Sequence, residues 1–446
     1  MVQALQEQAE WEAPEALARH RQDLWAAARD GFARSPFLRR VWDGAAPPAR
    51  LEDLASLPLI DKAMLRADQE AHPPFGSYLA APAERIARVH RTSGTTGQAM
   101  NLALSAADAY QTAVVGARAQ RAAGLEPGMR VIHCLNYRLW MGGFTDHTTL
   151  EAAGATVIPF GVGESRLLIR TIRELGVQAI SCTPSYPAVL EQVIADAFPG
   201  LAPADLGLTL GLFGGEAGLD DPAFRARLQE VWGLTPRNAN YGVSDVFCNF
   251  AGQTAQDPSL HFMAPDVLHA ELIEPESGAP IPWRAGARGE LVLTHLARDC
   301  QPLVRFRTGD VIELVATDPA PCGRTTPRFR VVGRADDMVV VRGINVFPTQ
   351  VAACVMAEAD LSGEYRIALP GPGPYDRLPL QAEAARGREP SGAEAEALAR
   401  ALADRIKREL GVTAAVEILA FGALPRTEGK TRRVVRLDQQ TTGGTG

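Results

Sequence analysis

The chain has 446 residues, and since a single domain usually has about 100–200, the length predicts two or three domains. Hydrophobic residues make up 46% and charged residues 22%, which excludes a disordered or fibrous protein. The formal net charge of −7 argues against a chain-wide surface for nucleic acid or anionic membrane. Lysine occurs only as Lys62, Lys407 and Lys430, so a lysine inside a recognisable motif is a candidate functional residue.

The sequence shows no membrane-spanning or secretory segment. No apolar run approaches the roughly 18 residues that a spanning helix needs, and the acidic N-terminal stretch lacks the pattern of a signal peptide. The cysteines are scattered without a CxxC pair, which is typical of reduced thiols. These features predict a cytoplasmic protein.

In chain order, residues 11–43 predict an amphipathic helix that Ser35 and Pro36 interrupt. Short apolar runs then alternate with helical segments, which predicts a parallel α/β sheet. The predicted strands are 129–135, 155–160, 177–183 and 206–215, and the helices between them include 165–176 and 222–233.

From about residue 265 the pattern changes to alternating apolar and polar residues between Gly/Pro turns, which predicts an antiparallel sheet or barrel. The last hundred or so residues contain a strand, a strong helix over 393–410 and another strand over 414–421. The predicted fold class is therefore α/β, with a large N-terminal region of α/β sheets, an antiparallel β subdomain and a small α+β C-terminal domain.

The densest chemical signal is the run Thr92-Ser93-Gly94-Thr95-Thr96-Gly97. Its glycines allow the backbone to close around an anion, and its hydroxyl groups add donors for phosphate oxygens. No Gly-Lys-Ser/Thr follows, so it is not a Walker A loop. Taken alone, the run fits an ordinary Ser/Thr/Gly surface loop equally well.

Further motifs follow this loop in a fixed order, and together they resemble the adenylate-forming superfamily of acyl-CoA synthetases, luciferases and adenylation domains. They are Phe213-Gly214-Gly215-Glu216, Asn240-Tyr241-Gly242-Val243-Ser244-Asp245, Arg307-Thr308-Gly309-Asp310, Gly333-Arg334-Ala335-Asp336-Asp337 and Leu424-Pro425-Arg426-Thr427-Glu428-Gly429-Lys430. Four segments, 35–37, 51–66, 85–97 and 336–351, are similar to the phenylacetate-CoA ligase family in particular. The resemblance covers residues 15–437.

The resemblance implies that ATP and a carboxylic acid react to an acyl-adenylate. Asp310 suits the two ribose hydroxyls because an ionised carboxylate accepts two hydrogen bonds. Asp245 stands where the superfamily usually has a Glu that binds Mg²⁺, and it keeps the carboxylate on a shorter side chain. The ATP-binding residues implied are Thr92, Ser93, Gly94, Thr95, Thr96, Gly97, Gly215, Glu216, Asn240, Tyr241, Gly242, Ser244, Asp310 and Arg334.

Lys430 is the implied catalytic residue. Its ammonium group would neutralise the charge that builds between the acyl carboxylate and the α-phosphate. The resemblance also implies that a mobile C-terminal domain, residues 333–446, swings about a hinge at Asp336 after adenylation. Residues 1–332 would then hold the ATP and acyl sites, although an Asp in an exposed turn explains Asp336 equally well.

The acyl pocket is expected where the family has it, in a slot of aromatic side chains beside glycines that would take a flat ring. Its expected residues are Tyr137, Trp140, Gly142, Gly143, Phe144, Gly214, Ala239 and Phe247. Some family members also carry a zinc site. Cys248, His261, Cys300 and Cys322 could supply four ligands here, but one expected cysteine is missing.

The sequence thus predicts an AMP-forming ligase that converts an aromatic acid to its coenzyme A thioester with ATP, Mg²⁺ and CoA. Two alternatives stay open. The acyl group could go to a carrier protein or an amine, or the chain could be an inactive nucleotide-binding homologue, which the retained Thr92–Gly97, Asp310 and Lys430 argue against. No nucleic-acid or membrane partner is expected, and a homodimer is the default assembly. The sequence does not identify the acid.

Overall fold

A computed structural model describes residues 11–92, 99–216, 218–371, 373, 375–425 and 433–437. These residues divide into two compact units. One lies within Met1–Gly215 and Arg227–Val331, and the other within Glu216–Ala226 and Val332–Gly446. The fold is mixed α/β, as the sequence predicts.

The helices begin and end close to their predicted positions. The first predicted helix is broken as expected, because the Ser35 hydroxyl accepts a hydrogen bond from the Leu38 N–H and starts a second helix. The helices are α1 Pro14–Phe32, α2 Pro36–Val41, α3 Lys62–Ala71, α4 Ala106–Ala122, α5 Met141–Ala152, α6 Ser165–Glu174, α7 Tyr186–Ala197, α8 Pro222–Trp232, α9 Pro348–Met356 and α10 Ala393–Leu410.

Eleven of the described strands form one sheet, in the order β10-β11-β12-β13-β9-β8-β7-β6-β5-β3-β4. Strands β3 to β7 are parallel where they pair, as the alternation of strands and helices predicts. The bounds are β3 Arg130–His133, β4 Thr156–Pro159, β5 Ala179–Cys182, β6 Leu210–Gly214, β7 Thr235–Val243, β8 Phe247–Gly252, β9 Leu260–Phe262, β10 Leu268–Ile273, β11 Arg288–His295, β12 Phe306–Ala316 and β13 Arg328–Arg334.

The antiparallel strands predicted from about residue 265 are present, and they continue the parallel sheet. Strand β7 makes the join, because it pairs parallel with β6 and antiparallel with β8. Strand β6 also begins later than predicted. A short 3-10 helix at Pro203–Leu206 and Gly207, with a φ of 73°, separate its first predicted residues from the strand.

Two smaller strands, β1 Ile86–Arg91 and β2 Asn101–Ser105, form an antiparallel pair on either side of the predicted phosphate loop. The core of the first unit packs the N-terminal helices against the antiparallel strands, and Trp25, Leu38 and Phe306 are fully or almost fully buried in it. The β1–β2 pair therefore holds the chain on both sides of the predicted phosphate loop.

The second unit has its own sheet and core. Strands β16 Leu361–Leu369, β17 Leu378–Ala384, β18 Ala414–Leu419 and β19 Val434–Arg436 pair in the order β18-β17-β16-β19, and β14 Val339–Val341 pairs with β15 Ile344–Val346. Helices α9 and α10 cover this sheet through Val351, Leu402 and Ile406. The α+β composition predicted for this end of the chain is confirmed. Within the described ranges, no helix combines the length and apolarity needed to cross a membrane.

Candidate active site

The predicted phosphate loop connects strands β1 and β2. The backbone N–H of Thr92 donates to the Met100 carbonyl, and the Thr92 hydroxyl accepts the Met100 N–H, each at 3.0 Å. Thr92 is buried, and these two hydrogen bonds join the end of β1 to the start of β2. Ser93, Gly94, Thr95, Thr96 and Gly97 lie outside the described residues.

Strand β1 also positions the predicted acyl segment. The Arg91 N–H donates to the Leu139 carbonyl at 2.6 Å, and Arg91 pairs with Trp140 as an isolated bridge. His90 is buried beside this contact, and burial, reinforced by the charge of Arg88, lowers its pKa to about 4. A neutral His90 therefore lies beside the predicted acyl segment at physiological pH.

The predicted adenine strands meet at the end of β6. Gly214 is paired with Asn240 on β7, and a Cβ at Gly214 would lie 2.6 Å from the Asn240 Cβ. A Cβ at Gly242 would lie 2.0 Å from the Cys248 carbonyl oxygen. Both glycines are thus required for the close approach of neighbouring backbones. Gly215 adopts a φ of 81°, and Glu216 begins the segment 216–226 that belongs to the second unit.

The predicted ribose ligand Asp310 is buried on β12, where its Oδ2 accepts a hydrogen bond from the Tyr241 hydroxyl at 2.8 Å. The structure therefore brings together two residues that the sequence separates by about seventy positions. A buried carboxylate, Glu290 on β11, holds the irregular stretch of β12 before Asp310, where the pairing of β11 with β12 shifts register. It accepts hydrogen bonds from the Arg307 guanidinium and from the Gly309 N–H, the latter at 3.0 Å, and Gly309 has a φ of 77°.

The predicted metal ligand Asp245 is 5% exposed and lies in the turn between β7 and β8. Its Oδ2 accepts a hydrogen bond from the Lys62 ammonium at 2.9 Å. Its Oδ1 is buried and has no hydrogen-bond partner in the part of the chain that the structure describes. A buried carboxylate oxygen without a partner fits a missing cation or ordered water, because burial of an unpaired oxygen is costly. Ser244 lies beside it in the same turn.

Asp146, on α5, is a buried carboxylate that no sequence motif marked. Its Oδ1 accepts a hydrogen bond from the Cys248 thiol at 2.8 Å, and its Oδ2 accepts one from the Asn240 amide. Burial raises the pKa of Asp146 to about 7 and raises that of the Cys248 thiol well above its usual value. This network fixes the side chain of Asn240, one of the predicted ATP-binding residues.

We expect Asp146→Asn to flatten the pH dependence of stability between about pH 4 and 7. Folded Asp146 keeps its proton up to about pH 7, whereas the unfolded chain releases it near the ordinary aspartate pKa of 3.8, so folding binds a proton in this window. The free energy of unfolding should therefore fall as pH rises from 4 to 7 in the wild type, and this component should vanish in the variant. Urea unfolding at several pH values measures it, and identical slopes in both proteins would contradict the assignment.

The predicted acyl residues form an aromatic cluster at the start of α5. The Tyr137 hydroxyl lies 3.0 Å from His147 Nδ1, and His147 Nε2 lies 3.1 Å from Glu151. The Phe144 ring stacks on His147 at a centroid distance of 5.8 Å, and the Arg88 guanidinium lies 4.4 Å above the Phe144 ring. The contacts of His147 with Tyr137 and Glu151 leave a polar edge in an otherwise flat aromatic wall.

Two glycines allow α5 to begin against this segment. A Cβ at Gly142 would lie 2.8 Å from the Trp140 ring, and a Cβ at Gly143 would lie 2.0 Å from the Asn136 carbonyl oxygen. Ala239 and Phe247 are fully buried, and Phe247 packs edge-on against His295 in the core of the first unit. Their contact with an acid stays a prediction.

The predicted hinge residue Asp336 forms an ion pair with Arg334. Arg334 Nε donates to Asp336 Oδ1 at 2.8 Å, and Nη2 donates to Oδ2 at 3.1 Å. Both side chains are roughly half exposed. This ion pair links Arg334, the predicted nucleotide-binding arginine, to Asp336, the predicted hinge residue two positions further along the chain.

Lys430 lies outside the described residues, but the chain on both sides of its loop is anchored in the second unit. The Leu424 N–H donates to Glu383 Oε2 at 3.0 Å, and the Arg433 guanidinium donates to Glu364 Oε2 at 2.6 Å. Leu424 and Glu383 are buried, so the loop begins and ends at fixed points.

The four residues considered for zinc are not assembled into a site. Among the described residues no three His, Cys, Asp or Glu side chains are grouped as a metal ion would require. Their atoms have other neighbours instead. Cys248 donates to Asp146, His261 lies 3.7 Å from Asp257, and Arg324 donates to the Cys322 sulfur at 3.5 Å.

Sequence reasoning missed Asp146, Glu290 and Lys62. The first two have no local signature, because each acts on a residue distant in the chain. Lys62 had a weak signal, since it is one of three lysines, but nothing in its surroundings indicated a partner 183 positions away.

The chain was compared with known proteins. A family profile described as "AMP-binding enzyme C-terminal domain" matches residues 343–438. A phenylacetate-coenzyme A ligase of Thermus thermophilus is 34% identical over 91% of this chain and 93% of its own length. A phenylacetate-coenzyme A ligase of Aromatoleum evansii is 33% identical over 92% of this chain and 91% of its own length.

Among solved structures, a 2-hydroxyisobutyryl-CoA ligase in the postadenylation state, in complex with R3-HIB-AMP, matches with a TM-score of 0.87 and 29% identity. The match covers 97% of this chain and 93% of that one. Similarity of this extent to the phenylacetate-coenzyme A ligases confirms the resemblance that the ordered motifs indicated. The chain belongs to the phenylacetate-CoA ligase family of the adenylate-forming superfamily.

Proposed function

We propose that this enzyme converts an aromatic carboxylic acid to its CoA thioester in two steps. In the first, a carboxylate oxygen attacks the α-phosphorus of ATP, and pyrophosphate leaves. In the second, the CoA thiolate attacks the acyl carbon of the adenylate, and AMP leaves. The observation that carries the proposal is the similarity to phenylacetate-coenzyme A ligases over 91% of the chain.

The arrangement of the first unit suits the adenylation step, in which positioning and charge neutralisation provide most of the catalysis. Asp310 would accept both ribose hydroxyls, and Tyr241 and Glu290 keep it and the adjoining stretch of β12 in place. The 92–97 loop would hold the departing phosphates on its β1–β2 base. Lys430 would contact the carboxylate and α-phosphate from the second unit.

A divalent cation fits the donor set at Asp245. The orphaned Oδ1 of Asp245 would be the protein's ligand to Mg²⁺, with ATP phosphates and water as the others. Bound there, the ion would neutralise charge on the phosphates. Lys62 donates a hydrogen bond to the other carboxylate oxygen, which fixes the position of the Asp245 side chain.

We expect Asp245→Asn to raise the Mg²⁺ concentration that half-saturates adenylation by about tenfold, since a hard cation prefers an anionic oxygen. The measurement is pyrophosphate release titrated with MgCl₂ at fixed ATP. Asp318→Asn is the matched control, because Asp318 is exposed and pairs only with Arg328 among the described residues. If Asp245 served only as the partner of Lys62, the Mg²⁺ titration would be unchanged.

We further propose that residues 333–446 act as a mobile domain about Asp336, that the enzyme works in the cytoplasm, and that it forms a homodimer. The ion pair between Arg334 and Asp336 supports the hinge. A domain movement that changes the backbone angles at Asp336 would either break this ion pair or move both of its residues together. The acceptor is CoA, and transfer to a carrier protein or an amine is the alternative to be tested.

The acid is tested by one reaction of purified enzyme with ATP, Mg²⁺, CoA and a pool of acids, analysed by mass spectrometry. The pool contains arylacetates, benzoates and 2-hydroxyisobutyrate, since one structural neighbour is a 2-hydroxyisobutyryl-CoA ligase. An aryl-CoA product supports the proposal. Formation of 2-hydroxyisobutyryl-CoA alone would overturn the aromatic specificity, and acyl-AMP without acyl-CoA would overturn CoA as the acceptor.

A further inference from the structure

Asn240 lies at a point of β7 where the pairing with β6 is irregular. Phe213 pairs with Asn238 and Gly214 pairs with Asn240, so Ala239 is an extra residue in β7. An extra residue of this kind is a β-bulge, and it turns the side chains that follow to the other face of the strand. The bulge therefore decides which face of the sheet the Asn240 side chain occupies.

The side chain of Asn240 lies on the face of the sheet that carries α5. Ala239 packs in one core cluster with Leu150 of α5, and the Asn240 amide donates a hydrogen bond to Asp146 of the same helix. Successive residues of a regular strand point to opposite faces, so the bulge explains why both residues reach α5. The next residue, Tyr241, instead donates to the predicted ribose ligand on β12. Asn240 is thus directed to α5 and not to the ribose ligand.

The neighbours of Asn240 belong to the predicted acyl pocket. A Cβ at Gly214, an expected acyl residue, would lie 2.6 Å from the Asn240 Cβ. Asp146, which holds the Asn240 amide, follows Gly142 and Gly143 by four and three residues on α5. Residues at these spacings share one face of a helix, so Asp146 lies one turn beyond the two expected acyl glycines. By position Asn240 therefore belongs with the acyl residues, although its motif placed it among the predicted ATP-binding residues.

Asp146 also fixes which end of the Asn240 amide is available to a ligand. Its two carboxylate oxygens accept hydrogen bonds from the Cys248 thiol and from the Asn240 amide. An ionised carboxylate is only an acceptor, so the NH₂ group of Asn240 must face Asp146 and the amide oxygen must point away from it. Asn240 is half-buried, and within the described residues no group donates to this oxygen. The half-buried oxygen therefore offers an acceptor to a bound molecule.

We infer that Asn240 determines the specificity of the acyl pocket, because its amide oxygen accepts a hydrogen bond from a hydroxyl or amino group on the ring of the acid. Asp146 is the positioning residue that holds the amide in this orientation. The favoured substrates are aromatic acids that carry such a donor. The same ring without a donor is a poorer substrate, since it covers the amide oxygen and leaves it without a partner. The inference rests on the proposed function, because it concerns the acid that is adenylated.

The test compares acids that carry a hydroxyl, an amino or a methyl group at the same position of one parent ring, with each ring position tried in turn. These groups are similar in size, but methyl has no hydrogen-bond donor. For one position we expect wild type to prefer the hydroxyl and amino acids over the methyl acid by at least about tenfold in kcat/KM. Pyrophosphate release is measured at pH 8, where Asp146 is ionised because burial raises its pKa only to about 7.

Asn240→Leu should abolish or reverse this preference and still activate the methyl acid, because the apolar side chain has no acceptor for the donor group. Gln229→Leu is the matched control, since it replaces an exposed amide on α8, and it should keep the preference of the wild type. Equal preference for the donor-bearing acids in wild type and Asn240→Leu would overturn the inference. The proposed function would still stand in that case, because the acids would still be activated.

Asp146→Asn tests the positioning role, and it decides the question should Asn240→Leu fail to fold. The amide at position 146 can accept from the Cys248 thiol and donate to the Asn240 oxygen, which turns the Asn240 amide around and presents its NH₂ group to the acid. An amino substituent should then lose its advantage over methyl, whereas a hydroxyl, which also accepts, should keep part of it. An unchanged amino preference in this variant, or no donor preference at any ring position in wild type, would overturn the inference. A wild type that activates no aromatic acid would overturn the proposed function and the inference with it.

Discussion

Lys430→Ala is expected to reduce acyl-adenylate formation by about 10²–10³-fold or more, with the fold intact. The expectation follows from the loss of a positive charge at the point where negative charge develops between carboxylate and α-phosphate. We expect the free energy of unfolding to stay the same, because the buried Leu424 and the ion pair of Arg433 hold the chain on both sides of the loop. Pyrophosphate release and the acyl-AMP peak in mass spectrometry measure the effect.

Lys407→Ala is the matched control for that experiment. Lys407 is exposed and donates to the Gly411 carbonyl at the end of α10, so its loss should leave adenylation unchanged. Together with Lys62, these two residues are all the lysines of the chain, which makes the comparison complete. Normal pyrophosphate release by Lys430→Ala would contradict the proposed mechanism.

Asp310→Asn is expected to lower kcat/KM for ATP by about 10–100-fold, because hydrogen bonds to a charged group contribute about 1.5–3 kcal/mol and Asn keeps only one acceptor oxygen. The amide has the shape of the carboxylate and can still accept from the Tyr241 hydroxyl, so the fold should tolerate it. The loss should appear mainly in the KM for ATP, with little change in the KM for the acid. Steady-state kinetics with each substrate varied in turn measures both.

Asp318→Asn again controls for the removal of a carboxylate, because Asp318 lies at an exposed position paired with Arg328. A second comparison uses 2′-deoxy-ATP, which lacks one of the hydroxyls that Asp310 would accept. Wild type should discriminate against it, and Asp310→Asn should discriminate less. Equal discrimination by both proteins would show that Asp310 does not contact the ribose.

The sequence predicts regular elements well where the local pattern is strong. Helix α10 and strand β18 begin and end within two residues of their predicted bounds, because periodicity and flanking glycines are local signals. The joining of the parallel and antiparallel strands into one sheet was not predicted. It depends on β7, which pairs parallel with β6 on one side and antiparallel with β8 on the other. No local pattern in the sequence encodes such a change of pairing direction.

In the candidate site, too, local motifs could be recognised from the sequence and long-range contacts could not. Motif residues such as Asp310 and Tyr241 could be named from the sequence, and the structure brings these two within a hydrogen bond. The residues that hold them could not, because Glu290 and Asp146 act by burial and long-range contacts rather than by spacing. That Thr92 binds phosphate stays a prediction, and the hydrogen bond that its hydroxyl accepts from the Met100 N–H is a contact that a sequence motif cannot indicate.

The predicted acyl segment contains both residues that the sequence could name and a contact that it could not. Gly142 and Gly143 were expected beside aromatic rings, and the structure gives each a steric reason in Trp140 and Asn136. The polar pair of Tyr137 and His147 was not foreseen, since ten residues separate them and only the turn between β3 and α5 brings them together. This pair makes acids with a polar substituent the most informative members of the acid panel.

Transfer of an oxygen isotope from the acid to AMP shows whether an acyl-adenylate links the acid to its thioester. The acid that the panel identifies is labelled with ¹⁸O in both carboxylate oxygens and converted in one reaction with ATP and CoA. If a carboxylate oxygen attacks the α-phosphorus, one ¹⁸O must appear in the AMP released and none in pyrophosphate. AMP without the label, or ¹⁸O in inorganic phosphate together with ADP, would contradict the account.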